Sequence, residues 1–175
     1  MSRQAFRGST QQVPVASPTA LVATTEEVLI PVVHTAIGFT EWEVDAMWEV
    51  TAGGIMSWNT TGTLIITPRL GLTIGGITLG ASVVALTTPG TTTAHSWFLK
   101  ALLTCRTLAG ASSTFVLNGM IWSSGIGTLG TGTTQSFGGT VATADATVAS
   151  GLWIGKTLSV AGSMTCQQAI MERIR

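Results

Sequence analysis

The chain has 175 residues, eight basic and eight acidic side chains, two histidines and a formal net charge of zero. At 18.1 kDa it is long enough for one domain with a real core, yet only 9% of its residues are charged, where a soluble domain ordinarily carries about 25%. That balance excludes a disordered charged tail and an electrostatic nucleic-acid binder, and two histidines beside 21 glycines argue against a metal- or histidine-rich catalytic centre.

Residues 1–24 are polar and punctuated by Pro14 and Pro18, with Arg3, Phe6 and Arg7 near the tip. They have no apolar face to bury and no apolar run of the secretory kind, which predicts an extended N-terminal arm ahead of a body over residues 25–175. From Glu27 onward the chain reads as short apolar runs separated by Gly, Thr and Ser clusters. Val28–Thr35 is the first predicted strand. Glu41–Val50 is the clearest: Trp42, Val44, Ala46, Trp48 and Val50 fall on one face, and Glu41, Glu43, Asp45, Met47 and Glu49 on the other, the period of two that a half-buried strand requires. Thr63–Thr67 and Ile77–Leu86 follow. The apolar stretch Leu72–Leu86 is shorter than the roughly 20 residues of a membrane-spanning helix and is interrupted by Gly75, Gly76 and Gly80.

Trp97–Thr107 repeats the alternation, with Trp97, Leu99, Ala101, Leu103 and Cys105 on one face and Lys100, Thr104 and Arg106 on the other. Thr114–Ser123, Gly139–Val148, Leu152–Ala161 and Ser163–Ile170 complete the predicted strands, and Gln167–Ile174 is the one place with room for a helical turn or two. Thr, Val and Ile dominate these runs, as suits a pleated, half-buried surface. Many short strands with closely spaced turn signals predict an all-β fold, an antiparallel β-sandwich, with a jelly roll of about eight strands as the first choice.

The few charges are segregated. Six of the eight acids lie between Glu26 and Glu49, while Arg3, Arg7, Arg173 and Arg175 sit at the two ends of the chain. So little surface charge leaves a solitary globule poorly soluble, which predicts that neighbouring subunits cover part of the apolar and Thr/Gly-rich surface in a symmetric homo-oligomer. Cys105 and Cys166 are too few for a disulfide framework and are predicted to be free, buried thiols.

No motif declares a chemistry. Gly125-Ile-Gly-Thr-Leu-Gly130 matches the glycine pattern of dinucleotide sites, but the helix that must follow is replaced by Thr131-Gly-Thr-Thr-Gln-Ser-Phe-Gly-Gly, which predicts a loop. Gly155-Lys156-Thr157 ends like a phosphate-binding loop but lacks its leading glycine, since Ser150 stands there. On one strand face Glu41, Glu43 and Asp45 would stand about 6.5–7 Å from the next, with Glu49 about twice as far beyond Asp45, which admits a cation site or a carboxylate pair. Similar settings along one exposed stripe do not separate an acid from a base, so a solvated, partner-facing acidic strand is the reading adopted. His34, His95 and Asp145 fit no nucleophile motif. Of the six tryptophans, Trp42, Trp48 and Trp97 belong to the predicted core, and Trp122 and Trp153 are candidates for a glycan-facing surface.

Three stretches carry a resemblance: Gly62-Thr-Leu-Ile-Ile-Thr-Pro-Arg-Leu-Gly71, Leu79-Gly-Ala-Ser82 and Trp97-Phe-Leu-Lys-Ala-Leu-Leu-Thr-Cys-Arg-Thr107. Over about the middle half of its length the chain resembles virion structural proteins of tailed bacteriophages, especially those of actinobacteria. The resemblance implies a jelly-roll-type β fold, self-assembly, often as a trimer, and attachment to the phage particle. The expectation is therefore a non-enzymatic capsid decoration protein, made in the host cytoplasm and carried on the outer surface of the virion. It would bind itself and the major capsid protein, with no nucleic acid, membrane, metal or cofactor, and Arg3, Phe6 and Arg7 of the arm would reach a neighbour or the shell. The alternative is a tail or fibre subunit that binds a host-surface glycan.

Overall fold

A computed structural model describes residues 26–30, 36–58, 60–71, 77–79, 84–88, 92–124, 133–160 and 162–175. The described strands are β1 (Glu27–Ile30), β2 (Ala36–Ile37), β3 (Met47–Trp58), β4 (Gly62–Leu70), β5 (Ile77–Thr78), β6 (Val84–Thr88), β7 (Thr92–Thr107), β8 (Ser113–Ser123), β9 (Thr133–Ala144), β10 (Ser150–Leu158) and β11 (Gly162–Arg173). Two 3-10 turns, Phe39–Glu41 and Gly110–Ser112, interrupt them; no α-helix occurs among the described residues.

All pairing is antiparallel. One sheet runs β1-β10-β4-β5, with β2 also on β10 and β6 also on β4; the other runs β11-β3-β7-β8-β9. The two pack face to face as a sandwich, because period-two patterning gives each sheet one apolar face that must be covered. Trp48, Val50 and Ala52 of β3, Leu99, Ala101 and Leu103 of β7, and Phe115 and Leu117 of β8 meet Leu64 and Ile66 of β4 and Leu152 and Ile154 of β10 in one buried cluster. Each fully buried Leu or Ile contributes about 1.5–3 kcal/mol. At one end of the cluster Trp42 packs edge-on against Trp48 and Phe115, with ring centroids 4.7 Å and 4.9 Å apart.

The predicted strand over 41–50 is displaced. Trp42, Ala46, Trp48 and Val50 are buried as expected, but Val44 is exposed and Asp45 has a left-handed φ of 64°. Glu41 closes the 3-10 turn by accepting from the Gly38 N–H at 2.7 Å. The chain therefore folds back before Met47, and the alternation there is a compact turn in which Trp42 and Ala46 point inward and Val44 outward. The helical turn at Gln167–Ile174 is also replaced by strand: β11 pairs with β3 as far as Arg173. A bulge between Cys166 and Gln168 turns both Gln167 and Gln168 outward, so that Cys166 and Ala169 are buried three residues apart, a helix-like spacing produced by one extra residue in a strand.

Two glycines are fixed by close approach. The Trp97 indole N–H crosses Gly54 to donate to the Thr165 carbonyl at 3.0 Å, and a Cβ on Gly54 would lie far inside contact distance of that same oxygen. Gly138 has φ of +96°, and a Cβ there would strike the Leu117 carbonyl, at the bulge between Val116 and Asn118.

Candidate functional site

Nine large apolar side chains are exposed among the described residues, and they gather in two places. Phe39, Val44, Leu108, Val148 and Ile174, each between 47% and 59% exposed, all lie at one end of the sandwich. The register shows why: β3, β8 and β10 begin there and β7, β9 and β11 finish there, with Met47 opposite Thr104, Ser113 opposite Ala144 and Arg173 opposite Trp48. The turns at this end are tied together. The Asp45 N–H donates to the Cys105 carbonyl at 2.9 Å, Met47 to Arg175 at 3.1 Å, and Ala146 to Gly110 at 3.1 Å. The apolar tips are thus carried on a fixed collar.

Most of the acidic candidates belong to this collar and do not form a stripe on one strand; only Glu49 lies within a strand. Glu41 serves the turn described above, and Glu43 pairs with Arg173, whose guanidinium also lies over the Trp48 ring at 5.6 Å. Glu49 meets Lys100 across β3 and β7 at 2.9 Å. Asp45 borders a hollow of about 390 Å³ on the adjoining sheet surface, with Met47, Leu102, Thr104, Arg106, Val116, Asn118 and Arg175. Among the described residues, no group of three or more His, Cys, Asp or Glu side chains comes together to hold a metal ion.

The second place is the outward face of the five-stranded sheet, where Phe98, Met120 and Trp122 are exposed close together, and Val141 stands on the same face but level with Val116 and Thr104 near the collar. Phe98 and Trp122 are direct cross-strand partners. A hollow of about 280 Å³ lies beside them over Gly53 and Gly54, flanked by Thr51, Ser96, Phe98, Gln167 and Gln168. The candidate Trp153 stands in β10 opposite Arg69 on the other sheet, so Trp122 and Trp153 are not brought together; the Trp153 side chain is outside the described ones. Arg3, Phe6 and Arg7 of the arm, His34 and the Gly125–Gly130 pattern also lie outside the described residues.

Among the described residues the nominal Ser/His/Asp set is not assembled. His95 Nδ1 lies 3.4 Å from Ser124 Oγ at the end remote from the collar, whereas Asp145 is in the collar and accepts from the Thr147 hydroxyl at 2.6 Å and the Thr147 N–H at 2.8 Å. Those bonds hold the Asp145 carboxyl below its ordinary range. Lys156 is in the middle of β10, where the phosphate-loop reading required a helix start. It is buried, donates to the Met164 carbonyl of the facing sheet at 2.8 Å and pairs with Glu27 at 3.4 Å. Burial lowers its pKa and Glu27 opposes the shift. Both cysteines are free and buried, and burial pushes both thiol pKa values up.

Alternation assigns Val44 to the apolar face, where the structure exposes it, and singles out neither Phe98 nor the other collar tips. Phe98 carried a usable signal, since it is an aromatic on the mostly polar face of β7 that bears Lys100, Thr104 and Arg106 along with Leu102. The collar tips, scattered singly over turns, carried none. Comparison with known proteins gave no matching family model, no matching curated protein and no matching solved structure.

Proposed function

We propose that this chain is a virion structural protein without enzymatic activity, a capsid decoration protein that oligomerises, with a trimer favoured, and binds the assembled major-capsid lattice on the outer surface of the particle. The observation that carries the reading is the collar: five exposed apolar side chains on the β2–β3, β7–β8 and β9–β10 connections and the C-terminal tail at one end of the sandwich, edged by Glu43, Asp45, Arg106 and Arg175. Apolar anchors within a polar rim are what a protein-binding surface needs. The resemblance to phage virion proteins points the same way. In a jelly-roll-type body, strands late in the chain return beside early ones; β10 between β1 and β4 and β11 beside β3 accord with such returns. The arm with Arg3, Phe6 and Arg7 is assigned to a neighbouring subunit or the shell.

A subunit that binds only assembled shell stabilises it by the binding free energy at every site. The test is co-sedimentation with shells that lack the protein. Phe39→Ser combined with Leu108→Ser and Val148→Ser is expected to abolish binding while leaving the circular dichroism spectrum unchanged, and removal of residues 1–20 is expected to weaken it. Undiminished occupancy by the triple variant would refute the collar as the contact surface.

The exposed Phe98–Trp122 pair beside an uncharged hollow favours a second reading, a tail or fibre subunit that binds a host-surface glycan. Saturable binding of the intact chain to isolated host cell-wall polysaccharide would support it.

A further inference from the structure

The hollow beside Phe98 belongs to one straight row across the sheet. Gln168 of β11 is in register with Gly53 of β3, Gly53 with Phe98 of β7, Phe98 with Trp122 of β8, and Trp122 with Thr134 of β9. Partners in register share a face, so this row presents amide, gap, aromatic ring, aromatic ring and hydroxyl in sequence. Inter-strand spacings of about 4.8 Å give it a length of roughly 19 Å. Three local features produce the arrangement. The bulge after Cys166 directs Gln167 and Gln168 outward together. Gly53, which has no side chain, leaves the hollow between Gln168 and Phe98 open; a Cβ there would come within 4.0 Å of the Phe98 ring. Phe98 and Trp122 remain 43% and 39% exposed although they adjoin each other.

We propose that this row is a binding site for an uncharged oligosaccharide laid across the strands, with one sugar ring seated over Gly53 and others stacked on Phe98 and Trp122. The chemistry fits that ligand class. Aromatic faces take the apolar C–H face of a pyranose, while Gln167 and Gln168 offer both donors and acceptors to its hydroxyls, as do Ser96 and Thr134 at the margins through their hydroxyl groups. No ionisable side chain stands in the row, and Lys100, two residues along β7 from Phe98, is paired with Glu49 at 2.9 Å, so the row offers a charged ligand no counter-charge of its own. A second copy presenting a flat sheet would leave the hollow unfilled and the Gln amides without partners, which is costly at a buried interface. A concave site with a few convergent polar groups is the form that small-ligand sites take.

This inference rests on the glycan reading above and names its residues. Neutral tetrasaccharides (chitotetraose, cellotetraose and maltotetraose) are titrated into the intact chain, followed by saturation-transfer NMR and by tryptophan fluorescence. At least one is expected to bind saturably with a change in Trp122 emission. Trp122→Ala and Phe98→Ala are each expected to weaken binding about tenfold, and Gly53→Val to block it by filling the hollow, with Gln168→Ala as the surface variant least able to disturb the fold. Binding that all of these variants leave intact would overturn the row and keep the glycan reading, whereas absence of binding to every tetrasaccharide and to cell-wall polysaccharide would overturn both. Dissociation of a native oligomer by Trp122→Ala, measured by analytical ultracentrifugation, would overturn the row by making this face an interface between copies.

Discussion

Replacing Glu27 by Gln tests how the two sheets are joined at Lys156. Lys156 is only 4% exposed, and its ammonium has a carbonyl of the opposite sheet at 2.8 Å and the Glu27 carboxylate at 3.4 Å. At that separation the pair is worth about 5 kcal/mol with an effective dielectric constant of about 20. The Glu27 side chain is 29% exposed, so water screens part of this, and release of the lysine proton caps the loss; a destabilisation of roughly 2–3 kcal/mol is expected. Lys156→Met is expected to cost only about 1 kcal/mol, since Glu27 can rehydrate and an apolar side chain fills the space. The double variant should match Lys156→Met.

The pH dependence has a definite sign. A lysine whose pKa is lowered by folding binds more protons when unfolded, so its contribution to stability rises with pH from the folded pKa up to the unfolded value near 10.4. Subtracting the Lys156→Met curve removes the opposing effect of the two thiols. Glu27→Gln should move the onset of the rise to lower pH, because Glu27 holds the folded pKa up. Urea denaturation between pH 6 and pH 10 measures both quantities. If Glu27→Gln is less destabilising than Lys156→Met, or the difference curve is flat, the assignment of a charged, carboxylate-dependent Lys156 is refuted.

Other outcomes follow from backbone geometry and burial. Gly54→Ala should destabilise by about 1–3 kcal/mol or more and free the Trp97 indole from Thr165, seen by chemical denaturation and a tryptophan emission shift. Ala94 holds a left-handed φ of 53°, so Ala94→Gly should be neutral or stabilising by up to about 1 kcal/mol, and a clear loss of stability would contradict the strain. Cys105 and Cys166 should react with a thiol reagent only as fast as the protein opens, so sub-denaturing urea should accelerate the reaction; rapid labelling in buffer would contradict their burial.

The legibility of the fold in the sequence follows from where one rule acts alone. Trp97–Thr107 is a central strand with one face in the core, so the period of two stands undisturbed from Trp97 to Cys105. The same rule misplaced the strand at 41–50, because burial of Trp42 and Ala46 is achieved by a turn in which Asp45 takes a left-handed backbone. It also admitted a helix at the C-terminal end because a bulge resets the phase after Cys166. Of the candidate surfaces, Trp122 was legible as an uncommitted tryptophan, but its neighbours in the row were not. Gln168, Gly53 and Phe98 are brought beside it by strand register, a property of pairing between distant segments. The collar depends in the same way on which strand ends the topology gathers.

The central claim is tested most directly by copy number in purified particles, measured by quantitative mass spectrometry against the major capsid protein. Decoration predicts a fixed stoichiometric ratio to the shell subunit, preserved from one preparation to the next. A copy number on the scale of tail components, or absence from the particle, would contradict it.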